Sequence, residues 1–295
     1  MITVVALGGN ALMRPGERGT AAEQLANLRR AVVALQPLLA DRGLVITHGN
    51  GPQVGNELLR QERAAEEAPQ LPLWLAVAQT QAEIGALIAA ELRPVAGSRE
   101  VACVLTHVRV APDDAAFDRP TKPIGPFYSD EQAEQLELER GWAMVADANR
   151  GRRRVVPSPQ PLEVVELESI RALAEAGAIA IACGGGGIPV VKRGGRLTGV
   201  DAVIDKDRAS ALLARGLGAD RLLILTEVSS VYRHFGTERE EPIHELTLDD
   251  ATTLLPDLAE GSMRPKVEAA ITFGRETLIT NFDGLARGEG TRVVG

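Results

Sequence analysis

Cysteine is scarce in this chain of 295 residues, and there is no excess of positive charge. The two cysteines, Cys103 and Cys183, stand far apart, each inside an apolar run. That placement predicts two buried free thiols and argues against a disulfide framework or a thiolate metal site. The histidines lack any metal-ligand spacing. Lys and Arg number 32 against 40 Asp and Glu, a formal net charge of -8 at pH 7. A phosphate backbone demands a basic surface, so nucleic acid is excluded as a partner. A small anionic substrate is not, because a site can be locally positive inside an acidic protein. No uninterrupted apolar run is long enough to span a bilayer. The opening run Ile2–Leu7 is too short for a signal peptide and meets glycines at once. Solenoid repeats and low-complexity tracts are also missing. The expectation is a cytoplasmic protein with no membrane partner, folded as one large α/β domain over residues 1–295.

What is present is an alternation of short apolar runs with longer amphipathic ones, the pattern of βαβ units around a mainly parallel sheet. Buried strands are predicted at Ile2–Leu7, Leu44–Thr47, Val101–Leu105, Ala178–Ala182 and Leu222–Thr226. Helices are predicted at Ala21–Arg42 with a kink or break at Pro37, Gln53–Glu66, Leu73–Glu91, Leu167–Ala176, Ala202–Gly216 and Pro265–Phe273. Thr20 and Asp201 stand where N-caps are wanted. Between Arg109 and Pro161 prolines, charges and the cluster Arg152, Arg153, Arg154 replace this rhythm. An excursion of that length is either a surface loop or a small subdomain over a site, and the lid is the favoured reading.

Three glycine-rich segments each follow a predicted strand: Leu7-Gly8-Gly9-Asn10, His48-Gly49-Asn50-Gly51-Pro52 and Cys183-Gly184-Gly185-Gly186-Gly187. Loops after parallel strands gather at the carboxyl edge of the sheet, where ligands bind. Glycines there let backbone N–H groups approach phosphate oxygens. One such loop is weak evidence; three in the same structural position are hard to explain as packing. None carries the Walker A ending or the dinucleotide fingerprint, so the site is a phosphate-handling site of another design.

Phosphoryl transfer needs cations placed at the equatorial oxygens of the transferring group. Lys206, between Asp205 and Asp207, reads at first as a surface charge cluster. Its apolar surroundings argue for function instead. Lys266 follows Pro265 in the first turn of a helix, where a cation opposes the dipole unless an anion sits nearby. Lys122, held between prolines in Thr121-Lys122-Pro123, fits a lid arm and an ordinary rigid loop equally well. His48 shapes its loop or donates a hydrogen bond, and Trp74 and Trp142 are read as packing residues.

Taken together and in order, these segments resemble the carbamate kinase family of the amino-acid kinase superfamily, essentially end to end. The resemblance is carried by Ala6–Leu12, the string HGNGPQVG at 48–55, TKPIGP at 121–126, Val155–Pro159, Gly184–Pro189, Gly199–Asp207, Leu225–Val228 with Val231 and Tyr232, and Gly261–Met263 with Pro265 and Lys266. It implies a three-layer αβα sandwich around a mainly parallel sheet, usually a homodimer, with a small protruding subdomain at about 110–160. The N-terminal half would form the carbamate side, and about 180–295 the nucleotide side. It implies reversible transfer between MgATP and carbamate, giving ADP and carbamoyl phosphate, often run towards ATP in catabolism.

By the same resemblance Gly8, Gly9 and Asn10 contact the transferred phosphate, and Gly49, Asn50 and Gly51 hold the carbamate. Lys206 and Lys266 neutralise transition-state charge, Asp207 orients them and Lys122 closes over the site. Gly185, Gly186, Lys206, Thr226, Glu227, Val228, Tyr232, Met263 and Lys266 form the nucleotide site. Mg²⁺ is expected with the nucleotide, with no protein side chain as a ligand. Ala6 replaces the lysine that many superfamily members carry two residues before the first Gly-Gly pair, so a cation must come from elsewhere, and Lys122 and Lys206 are the suppliers. Departures from the family pattern fall at Trp74, Ala82, Ala86, Gln160 and Glu227. They keep open a kinase for another small carboxylate or phosphate acceptor, and more distantly a sensor without catalysis.

Overall fold

The structure, a computed structural model, describes residues 1–14, 16–146, 151–259 and 261–295, and the backbone alone at Asn10. An eight-stranded sheet forms the centre. Its order is Glu245–Thr247, Thr291–Val294, Thr277–Thr280, Arg221–Leu225, β1 (Ile2–Leu7), β2 (Gly43–His48), Ile179–Ile181 and β3 (Val101–Cys103). Every pairing is parallel except that between Thr277–Thr280 and Thr291–Val294. All five predicted strands belong to it: Ile2–Leu7 has its predicted ends, and the other four are shifted by one or two residues.

The side-chain alternation of β1 divides the core into two layers. Val5 and Leu7 pack with residues of α1 (Ala21–Leu35) and α3 (Leu73–Leu92) on one face. Val4 and Ala6 pack with α5 (Leu167–Glu175), α6 (Lys206–Leu217) and α8 (Arg264–Phe273) on the other. The result is the expected αβα sandwich. Thr20 caps α1 in a full capping box with Glu23, and the helix gives way at Leu35 to a 3₁₀ stretch, Gln36–Ala40, around Pro37. The predicted break is real.

Contrary to expectation, helix α3, at 20 residues, is long and apolar enough to cross a bilayer by length and composition; about half of it is buried in this fold.

The segment after Arg109 holds a second, three-stranded antiparallel sheet, Lys122–Tyr128, Arg152–Val156 and Ala143–Ala146, with α4 (Asp130–Arg140) beside it. Ser129 and Gln132 form a capping box at one end of α4, and Gly141 in the left-handed conformation ends it. The arginine cluster is structural. Arg154 lies 4.2 Å over the Trp142 ring, and Arg140 pairs at 3.1 Å with Glu62 of α2 (Gly51–Arg63). The strand Lys122–Tyr128 crosses α2 at two glycines: a Cβ on Gly55 would meet Gly125 Cα at 1.9 Å. Only glycine allows that approach.

Two expectations need correction. Helix α6 begins at Lys206, not Ala202, and its N-cap is Asp205, which accepts from the N–H groups of Asp207 (2.9 Å) and Arg208 (3.3 Å). The apolar residues 202–204 read as helix, but the Val203 N–H donates to Pro157 O at 2.9 Å and ties that stretch to the small sheet. Asp201 serves a different helix, accepting from the Trp74 N–H at the start of α3 at 3.4 Å. Cys183 is buried as expected, whereas Cys103 is exposed, because β3 is the last strand of the sheet.

Candidate active site

Register at the carboxyl edge brings the glycine loops together. Leu7 stands opposite His48 on one side and Leu225 on the other, so Gly8, Gly49 and Thr226 leave the sheet at one level. The Gly49 N–H donates to Leu7 O at 3.3 Å. A Cβ on Gly8 would lie 2.6 Å from Leu225 O, so the turn after β1 passes too close to its neighbour for any side chain. Asn50 fixes the second loop: its Nδ2 donates to Thr80 Oγ1 at 3.0 Å, and that hydroxyl donates to the backbone of α3.

Two cavities open on this edge. The larger, about 880 Å³, is lined by Gly8, Gly9, Thr226, Glu227, Val228, Tyr232 and Met263, with Arg233, His234, Phe235, Asp257 and Leu258 completing its wall. The smaller, about 200 Å³, is lined by Gly49, Asn50, Gly51, Gln53, Lys122, Gly185, Asp205 and Asp207. Gly9, Lys206, Gly261, Ser262 and Lys266 line both, so the lysines stand where the cavities meet.

The structure therefore brings together nearly all the residues singled out from sequence, with two displaced. Gly185, expected on the nucleotide side, lines the smaller cavity against Asn50. Gly186 lines neither and is packed under the Ile204 carbonyl. The backbone of Asn10 belongs to the 3₁₀ turn Gly9–Ala11, and its side chain lies outside the described residues.

Charge at the junction is organised by two aspartates. Asp207 takes Lys206 on Oδ1 and Lys266 on Oδ2, the latter at 3.2 Å, and Lys266 also donates to Ser262 O at 3.0 Å. Asp205, missed as a site residue in sequence, accepts from Lys122 at 2.6 Å. It stood in the same short string as Lys206, but a carboxylate needed as a helix cap gives no separate signal there. Three lysines thus meet two aspartates here, and Glu227 acts on Lys266 from the wall of the larger cavity.

Burial alone would raise both aspartates. Lys122, Lys206 and Lys266 outweigh it at Asp205, and Lys206 and Lys266 outweigh it at Asp207, so both are held below the usual carboxylate range. Burial pushes Lys206 below an ordinary lysine despite Asp207. At Lys266 burial is outweighed by Asp207 and Asp205, and it stays above. Lys206 and Lys266 share the single carboxylate of Asp207.

His48 is buried, and burial followed by the Lys206 charge lowers it to about 4, against the bond to Gly49 O. It is neutral at pH 7 and its Nδ1 contacts Gly49 O at 3.0 Å, so it shapes the loop. Trp74 covers Gly199 in a separate cavity with Phe117. Ala82, Ala86 and Gln160 are exposed, and Gln160 lines another cavity beside Arg208 and Glu268. Among the described residues no group of three or more His, Cys, Asp or Glu is placed to hold a metal ion.

Residues 1–280 match the amino acid kinase family. The chain is 50% identical to the carbamate kinase of Halobacterium salinarum over 275 residues, covering 92% of this chain and 88% of that protein. It is 46% identical to carbamate kinase 2 of Staphylococcus epidermidis, covering 96% and 94%. Among solved structures, the carbamate kinase of Giardia lamblia bound to citric acid superposes with a TM-score of 0.92 at 38% identity, over 99% of this chain and 98% of that one. The same enzyme bound to AMP-PNP superposes with a TM-score of 0.89.

Proposed function

The chain belongs to the amino acid kinase family, and from that premise we propose that it is a carbamate kinase, catalysing reversible phosphoryl transfer between ATP and carbamate. The observation that carries this reading is the meeting of a large and a small cavity at Gly9, Lys206 and Lys266. A nucleotide in the larger cavity puts its terminal phosphate at the junction. A molecule the size of carbamate fits the smaller one.

Carbamate is already an anion and needs no general base, which agrees with a His48 that stays neutral and buried. The chain's own contribution is positional and electrostatic. Backbone N–H groups of the Gly8–Gly9 turn approach the transferring phosphoryl group. Lys206 and Lys266, spread apart by the two oxygens of Asp207, face its equatorial oxygens as charge builds. Lys122, on the strand that crosses α2, covers the acceptor side from the small sheet, which acts as the lid. Mg²⁺ enters as part of the nucleotide substrate, because Asp205 and Asp207 are engaged by lysines and the phosphates themselves are its ligands.

The departures at Ala82, Ala86 and Gln160 are exposed, and Trp74 lines a separate cavity; Glu227 alone touches the site, in the wall of the larger cavity, and none of the five lines the smaller one. That supports carbamate over another acceptor. A homodimer is supported by the uncovered edge strand β3, with Leu105 beside it 49% exposed; sedimentation equilibrium measures it. The reaction is tested by incubating the purified protein with MgADP and either carbamoyl phosphate or acetyl phosphate. ATP formed preferentially from carbamoyl phosphate supports the reading, and no ATP from it with nucleotide still bound refutes it.

A further inference from the structure

Gln53, one of the residues lining the smaller cavity, carries a buried acceptor that no other described residue uses. Gln53 stands in the first turn of α2, directly after the Gly49–Gly51 loop, and is only 6% exposed. Its Nε2 donates to Gln24 Oε1 at 2.9 Å, and Gln24 Nε2 donates to the backbone carbonyl of Gly19 at 3.0 Å. The orientation of both amides follows from the far end of that chain. A backbone carbonyl only accepts, so Gln24 presents its NH₂ there and turns its oxygen to Gln53, which must answer with its own NH₂. Gln53 Oε1 is thereby fixed as an acceptor, and it is buried without a hydrogen-bond partner among the described residues. A buried carbonyl oxygen left without a donor is a costly feature, and one beside a ligand cavity calls for a ligand explanation.

Carbamate has the charge and nearly the shape of acetate, and differs by an amino group where acetate has a methyl. We propose that Gln53 Oε1 accepts a hydrogen bond from the carbamate amino group, making Gln53 the residue that selects carbamate over isosteric carboxylates. The assignment rests on the carbamate kinase reading. The Gln24–Gly19 chain gives the selectivity its rigidity: the amide cannot turn its NH₂ inward to suit a different acceptor without breaking two hydrogen bonds. A methyl group in the same position leaves the oxygen unpaired, and a site built to bond a polar group rejects an analogue that lacks it far more strongly than an apolar pocket rejects a shape change.

The test compares kcat/KM for carbamoyl phosphate and for acetyl phosphate, both with MgADP, in the wild type and in Q53M. Methionine keeps the length and loses the acceptor. The wild type is expected to favour carbamoyl phosphate, and Q53M to lower that preference roughly tenfold or more. A purely structural role lowers both values together, so an unchanged ratio overturns the assignment. If Q53M yields no folded protein, Q53N, which keeps an amide but withdraws it by one methylene, carries the same expectation and the same refutation. A wild type with no preference between the two donors overturns the carbamate kinase reading itself, and the selectivity assignment with it.

Discussion

Lys122 Nζ lies 2.6 Å from Asp205 Oδ2, so a strand of the small sheet is bonded to the N-cap of the helix that opens with Lys206 and Asp207. One carboxylate thus performs two tasks, capping α6 and fixing the cation that overhangs the acceptor cavity. Asn caps helices as well as Asp does, so D205N separates the tasks. The variant is expected to fold and bind MgADP normally while its KM for carbamoyl phosphate rises about tenfold to a hundredfold, since hydrogen bonds to charged groups are worth roughly 1.5–3 kcal/mol. Steady-state kinetics with calorimetric ADP binding check it. Equal losses for both substrates contradict the division of labour.

The crossing of Gly55 and Gly125 predicts a second dependence. In G55A the new methyl meets backbone on the strand that carries Lys122, and neither partner has a side chain to move aside. Overpacking of this kind costs about 1–3 kcal/mol. The strand is displaced from α2, and Lys122 with it. The expected result is a KM for carbamoyl phosphate raised about tenfold with MgADP affinity retained.

His48 gives stability a pH dependence with a definite window. Its folded value of about 4 lies below the ordinary 6.5. Between those values the unfolded chain takes up a proton that the folded protein refuses, so stability falls as pH drops from about 6.5 and the loss is complete near 4. The magnitude is roughly 3 kcal/mol. Asp205 and Asp207 act in a different range: held below the usual carboxylate range, they stabilise the fold above about pH 4 and lose that contribution only below it. Urea midpoints between pH 4 and 7 are expected to slope in the wild type and to flatten in H48N. Parallel slopes in the two proteins contradict the assignment.

Much of this molecule is legible in its sequence for identifiable reasons. Strands covered on both faces read as plain apolar runs, and loops at their carboxyl ends read as glycine clusters, so the sheet and the phosphate-side turns are recoverable. Lys206 and Lys266 stand out because charge in an apolar context is rare. What depends on distant partners is not legible. The small sheet pairs Lys122 with Val156, a contact for which the arginine-rich strand Arg152–Val156 offers no alternation. The start of α6 depends on the bond from Val203 to Pro157, and Asp205 as a holder of Lys122 depends on the same docking. At Gly185 a glycine loop shows that something approaches closely without showing what; here it is Asn50, on the wall of the smaller cavity.

The central claim is that the phosphoryl group passes between Lys206 and Lys266 where the two cavities meet. The most direct measurement is ATP formation from carbamoyl phosphate and MgADP by the wild type and by K206M, with ADP binding to each followed by calorimetry. Removing one preorganised electrostatic donor costs about a hundred- to a thousandfold in turnover. Rapid ATP formation by the wild type and a loss of that size in K206M are expected, with ADP affinity kept within about tenfold because the rest of the larger cavity is intact. Turnover by K206M near the wild-type rate, or no ATP from the wild type, would contradict that claim.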